Sequence, residues 1–171
     1  MFSLLDNLLK WTKSQIGNLN VVYQDVDAVE VVDSVIDVFN MVAGLKKITI
    51  REEKPEKLPV CTDIDMLKTI IRNLLSNAIK FSNENSEVLV KMEEQGDTVV
   101  VSVKDSGCGI DEEGQQKLLH TDTHFSTFGT NNEEGSGLGL LLCQDFAVKS
   151  GGKLWLHPRK ERVRHSIFPS R

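Results

Sequence analysis

Residues 87–104 read EVLVKMEEQGDTVVVSVK. Val88, Val90 and Met92 recur at every second position, as do Val99, Val101 and Val103 beyond the turn signal EQGD, with Lys91, Glu93 and Ser102 among the residues between. Such alternation puts every second side chain on one face of a strand. The stretch therefore reads as a β-hairpin with one apolar face. That face must be buried against a second layer, and helices are at hand to supply it. DIDMLKTIIRNLLSNAIKFS, capped by Asp63 or Asp65, carries a broad apolar face in Ile70, Ile71, Leu74, Leu75, Ala78, Ile79 and Phe81. DVDAVEVVDSVIDVFNMVAGLK spaces Asp27 and Glu30 like a capping box, with Gly44 as a terminator. A third helix runs from Leu138 to Lys149 and stops at Gly151–Gly152. KITIREE and KLWLH read as further strands. The expected fold is α+β: a two-layer sandwich whose mixed, mostly antiparallel sheet is covered on one face by helices.

The chain has 171 residues, 40% hydrophobic and 26% charged, which suits one ordinary domain with a real core. Its net charge is −5, but residues 151–171 hold six Lys/Arg against one Glu. The acidic remainder argues against nucleic-acid binding. The basic run (Arg159, Lys160, Arg162, Arg164, Arg171) reads most simply as a charged strand edge that discourages edge-to-edge pairing. Cys61, Cys108 and Cys143 are odd in number and widely spaced, which suits a reducing compartment such as the cytosol and offers no metal framework. The opening MFSLLDNLLKW lacks a signal peptide's basic start, and no window has the length of a membrane span.

Three polar features stand out against this frame. Asn73, Asn77 and Lys80 share one stripe of the second helix. Asn is a poor residue in a helix interior and costly if buried unpaired. Its amide oxygen is a hard ligand suited to Mg²⁺, and a neighbouring Lys suits phosphate. An exposed stripe meeting water would carry the same residues, and the pattern alone does not choose. DSGCGID at 105–111 ends a strand with Asp105, an acceptor for an exocyclic amine, followed by glycines that admit close approach to the backbone. A plain Asp-Ser-Gly turn has the same letters. GSGLGLLLC at 135–143 runs three glycines into an apolar helix, and free backbone N–H groups at a helix start form an anion site. Between the last two motifs, residues 106–134 are polar, Gly-rich and too long for an ordinary connector, in the manner of a lid.

RNLLSNAIKFS, DSGCGID and GSGLGLLLC, in this order and at these intervals, resemble the N, G1 and G2 boxes of bacterial sensor histidine kinases. That ATP-binding fold is shared with gyrase, mismatch-repair ATPases and heat-shock chaperones. The likeness covers about residues 46–157. THFSTFGTNNEEGSGLGL is also similar to the ATP lid of one branch, and LLDNLLKWTKSQ to the second helix of the dimerisation hairpin. The resemblance implies a division into residues 1–17, the end of that helix, and 18–171, the ATP-binding domain. It implies that Asn77 holds Mg²⁺ bridging the ATP phosphates, with Asn73 alongside. Lys80 would contact phosphate and Phe81 would pack near adenine. Asp105 would take the adenine amino group, with Gly107, Gly109 and Ile110 shaping the pocket. Gly135, Gly137, Leu138 and Gly139 would close the lid and open the helix facing the phosphates.

The chain departs from the family in two places. None of His120, His124, His157 and His165 has the acidic neighbour and helical context of a phospho-acceptor, so the resemblance implies that the acceptor lies on a dimerisation helix outside this chain. It also implies a homodimeric parent kinase, possible anchorage of that parent in a membrane, and a response regulator receiver domain as partner. The family's closing G-x-G-[ST]-x-F strand corresponds to VRHSIF, with Val163 and His165 at the glycine positions. That leaves the last strand open to question, and it keeps a degenerate, non-catalytic nucleotide-binding or dimerisation module as the alternative. A serine kinase of the anti-sigma type is a further one. ATP-hydrolysing relatives carry a Glu base where this chain has Asn73, so the resemblance implies phosphoryl transfer rather than hydrolysis.

Overall fold

The computed structural model describes Leu9, Thr12 and residues 20–107, 138–157 and 162–169, with backbone course alone beyond Trp155. Among the described residues the elements run β1 (Gln24–Asp27), α1 (Ala28–Leu45), β2 (Thr49–Glu53), β3 (Pro59–Thr62), α2 (Ile64–Phe81), β4 (Glu87–Gln95), β5 (Thr98–Lys104), α3 (Leu138–Lys149), β6 (Lys153–His157) and β7 (Arg162–Pro169). The principal sheet has the order β2-β4-β5-β7-β6. β2 lies parallel to β4, and every other pairing is antiparallel. This is the expected α+β sandwich.

Two aspartates start the main helices. Asp27 caps α1 by accepting from the Val29 N–H at 3.0 Å, and the same oxygen takes the Leu58 N–H at 2.9 Å. The cap is thus shared with the loop before β3, and Glu30 stays exposed in the first turn. Asp63 caps α2 through the Asp65 and Met66 N–H groups, both at 3.0 Å, while its other oxygen receives the Val22 N–H at 2.9 Å. A nearly buried carboxylate is tolerated because three backbone donors satisfy it.

The core forms where α2 lies on the sheet. Leu67, Ile70, Ile71, Leu74 and Leu75 of α2 are buried, facing the alternating set Val88, Val90, Met92, Val99, Val101 and Val103. α1 contributes Val32, Val35 and Ile36, and α3 contributes Leu142, Phe146 and Ala147. Burying a side chain of this size stabilises the fold by about 1.5–3 kcal/mol.

Three readings of the sequence change. Gly44 does not end α1 by turning left-handed; the helix runs on to Leu45, and Lys47 takes the positive φ of 55°. QDVD, whose last three residues lead the segment read as a helix, is instead a strand and pairs with PVCT as a separate antiparallel ribbon, with Gln24 opposite Thr62. Arg162 and Arg164 do not lie on a sheet edge, because β7 is paired on both sides; Arg159, Lys160 and Arg171 lie outside the described residues. Val163 stands opposite Val103 and Leu156, and His165 opposite Val101 and Leu154. The closing strand therefore forms without the family's glycines.

Candidate functional site

The second half of α2 supplies the first wall. Asn73, Asn77, Lys80 and Phe81 are all half-buried, as a stripe at the rim of a packed helix requires. The two asparagines are used differently. Asn73 donates through Nδ2 to the Thr69 carbonyl at 2.8 Å, one turn back. Its Oδ1 faces α3, where a Cβ built on Gly139 would stand 2.7 Å away. The buried Cys143 thiol, 3.8 Å from the Ile70 carbonyl, also hydrogen-bonds Asn73. Burial pushes the Cys143 pKa well up, and the Asn73 hydrogen bond only partly opposes this. Asn77, by contrast, has no hydrogen-bond partner among the described residues. Its amide is available to a ligand. The Lys80 Nζ sits 5.0 Å from the centroid of the Phe81 ring, a contact that keeps the ammonium near the helix end.

The second wall is the turn after β5. Asp105, half-buried, accepts the Gly107 N–H through Oδ1 at 2.8 Å. Ser106 donates through Oγ to the Glu87 carbonyl at 3.2 Å, tying the turn to β4. Gly107 then backs onto the last residue of α2, and a Cβ there would overlap the Phe81 carbonyl oxygen. The DSG turn and the end of α2 are thus in direct contact, which brings Asp105 and Phe81 to one place. The start of α3 forms the third wall, with Leu138 and Gly139 half-buried against Asn73. The contacts among Asn73, Gly139 and Cys143 were not read from the sequence. The available signal was the i, i+4 spacing of Gly139 and Cys143, which puts a small residue and a thiol on one helix face.

Gly109, Ile110, Gly135 and Gly137, the lid at 111–134 and both His120 and His124 lie outside the described residues. The two described residues of the opening segment, Leu9 and Thr12, are helical and exposed. A separate groove beside the β1–β3 ribbon is lined by Asp25, Asp27, Glu30 and Glu94, with Lys57 and Cys61. Four carboxylates against one ammonium give it the wrong sign for a phosphate. Among the described residues no group of three His, Cys, Asp or Glu could hold a metal ion unaided. A lone amide oxygen suits Mg²⁺ that arrives with phosphate oxygens as its other ligands. Among the same residues no helix is long and apolar enough to cross a membrane.

Comparison with known proteins identifies the family and the fold. The family described as histidine kinase-, DNA gyrase B-, and HSP90-like ATPase matches residues 62–169. The adaptive-response sensory kinase SasA of Rippkaea orientalis is 30% identical over 158 residues, covering 91% of this chain and 40% of that protein. The sensor protein EvgS of Escherichia coli O157:H7 is 30% identical over 166 residues, covering 92% of this chain and 14% of the relative. The chain thus spans less than half the length of these curated relatives. Among solved structures, the nucleotide-free catalytic domain of histidine kinase ThkA superposes with a TM-score of 0.75 at 27% identity, covering 87% of this chain and 99% of that one. Full-length ShkA in complex with AMPPNP gives a TM-score of 0.81 at 22% identity over 99% of this chain and 36% of that one, a likeness of fold.

Proposed function

Because the chain belongs to the histidine kinase-, DNA gyrase B- and HSP90-like ATPase family, in its sensor histidine kinase branch, we propose that it binds ATP with Mg²⁺ between α2, the Asp105 turn and the start of α3. One observation carries the reading. Asn77, whose amide has no hydrogen-bond partner among the described residues, and Lys80 lie on the stretch of α2 whose last carbonyl backs onto Gly107 of the Asp105 turn. A cation-and-phosphate end and an adenine end are then joined by one contact. Asn77 offers the protein's oxygen to Mg²⁺, which would neutralise phosphate charge. Lys80 pairs with a phosphate oxygen, and Phe81 offers an apolar surface to the base. Asp105 accepts the adenine amino group, and Gly107 lets the base approach the backbone. Asn73 braces α2 against α3. Leu138 and Gly139, with Gly109, Ile110, Gly135 and Gly137, complete the set carried over from the family boxes.

The reaction is transfer of the γ-phosphoryl to an imidazole nitrogen on a dimerisation helix outside residues 18–171. An N–P bond forms, the bond to the β-phosphate oxygen breaks, and ADP leaves. Neutral imidazole is already a nucleophile, so positioning and charge neutralisation suffice. Hydrolysis is disfavoured because the Asn73 amide cannot take a proton from water. From the histidine the phosphoryl would pass to a response regulator, and residues 1–17 would end the dimerisation hairpin of a homodimeric parent. Val163 and His165 at glycine positions favour, as a second reading, a module that binds nucleotide without transferring phosphate.

Competition for the site tests the reading. With Mg²⁺ present, ATP should displace a labelled adenine nucleotide and GTP should be weaker. Facing a guanine carbonyl, the Asp105 carboxylate would forfeit a hydrogen bond, about 1–3 kcal/mol. Equal competition would reduce Asp105 to a turn residue, and no binding at all would remove the site.

A further inference from the structure

Lys46 lies outside the stretch matched by the family and is not one of the residues carried over from its boxes. It is nonetheless a lysine with only 6% of its surface exposed. Its Nζ donates to the Ile79 carbonyl at 3.1 Å and to the Lys80 carbonyl at 2.8 Å. These are two of the four carbonyls that any helix leaves without intrahelical partners at its C-terminus. The Ala78 carbonyl takes the Ser82 N–H at 3.1 Å, Ile79 and Lys80 share the Lys46 ammonium, and the Phe81 carbonyl is covered by Gly107. The lysine is itself held in place. Its backbone N–H donates to the Ala43 carbonyl at 3.0 Å, and the Ile48 N–H donates to the same carbonyl at 2.9 Å. A positive charge at a helix C-terminus is favoured by the macrodipole, and here it is shielded from water.

We propose that Lys46 is a positioning residue for the nucleotide site: its ammonium clamps the last turn of α2 and so fixes the Asn77 amide, the Lys80 ammonium and the Phe81 ring toward the ligand. This inference rests on the nucleotide reading above. Without the ammonium two carbonyls near the site lose their partner, and that turn loosens while the buried core of α2 remains. The loss falls on ligand geometry, because Lys80 belongs to the turn that is released and Asn77 directly precedes it. Arginine restores the charge and the donors, whereas methionine keeps only the apolar stem.

The test combines urea unfolding with Mg-ATP calorimetry for wild type, Lys46→Met and Lys46→Arg, each titrated where its unfolding curve shows it folded. We expect Lys46→Met to bind about tenfold more weakly or worse, and Lys46→Arg to remain within about threefold of wild type. Should Lys46→Met fail to fold, Lys46→Gln, which keeps one neutral donor, takes its place with the same expectation. A folded Lys46→Met that binds Mg-ATP as wild type does would confine Lys46 to stability and overturn the proposal. Equal weakening in Lys46→Arg would overturn it too, since restored charge would not restore geometry. If wild type itself gives no heat, the nucleotide reading fails first and this inference falls with it.

Discussion

A methyl group on Gly139 would stand 2.7 Å from the Asn73 Oδ1, so the start of α3 rests directly on an amide presented by α2. Because Asn73 is also bonded to Thr69 at 2.8 Å, it cannot yield without giving up that partner. Overpacking of this kind costs about 1–3 kcal/mol, against a gain of up to about 1 kcal/mol for alanine over glycine in a helix. Gly139→Ala should therefore be neutral to destabilising in the wild-type background. In an Asn73→Ala background it should become stabilising. A double-mutant cycle by urea unfolding should give a coupling of about 1–3 kcal/mol. Additive effects would mean that the two residues do not press on each other.

Gly107 and Gly44 separate a glycine required by contact from one that is not. A Cβ on Gly107 would overlap the Phe81 carbonyl oxygen and lie 2.8 Å from the Asp105 Oδ1, and the first of these is backbone. Gly107→Ala should destabilise by about 1–3 kcal/mol. At Gly44, in the last turn of α1, an added Cβ meets nothing within 4 Å. Gly44→Ala should stabilise by about 0.5–1 kcal/mol. Chemical denaturation of both variants checks the contrast, which the same sign in both would refute.

The Cys143 thiol is fully buried, and burial raises its pKa despite the hydrogen bond from Asn73. The folded state thus holds this proton more tightly than the unfolded chain, whose thiol ionises near about 8.5. The stability contribution is complete below that pH and is lost as pH rises from it toward the folded value. Unfolding free energy should fall above about pH 8.5, and Cys143→Ala should lack that share of the fall, at most about 1.4 kcal/mol per pH unit. Urea curves from neutral pH to about pH 10 report it. Parallel pH profiles for the two proteins would show that the thiol does not contribute.

The parts of the fold legible in advance were those with a local cause. The period of two in residues 87–104 requires a hairpin whichever layer covers it, and Asp27 and Asp63 stand where helix caps are needed. What escaped notice depends on distant partners. QDVD becomes a strand only because PVCT lies beside it, and the basic β7 becomes interior only because β6 folds back onto it. The stripe of Asn73, Asn77 and Lys80 was visible as spacing. Spacing could not reveal that Asn73 turns into the α2–α3 seam while Asn77 does not, because that depends on which helix packs alongside. Lys46 was hidden for another reason. Lysine is almost never buried without a partner, and the carbonyls that satisfy it lie more than thirty positions along the chain.

The measurement that bears most directly on the account is calorimetric titration of Mg-ATP into wild type and Asn77→Ala. Asn77 has no hydrogen-bond partner among the described residues, so its removal should leave the urea midpoint almost unchanged. Wild type should give a saturable, weak binding heat, and Asn77→Ala should bind about tenfold more weakly or not at all, through loss of the amide oxygen offered to Mg²⁺. Indistinguishable titrations of two equally stable proteins would contradict the assignment of this stripe as the nucleotide site.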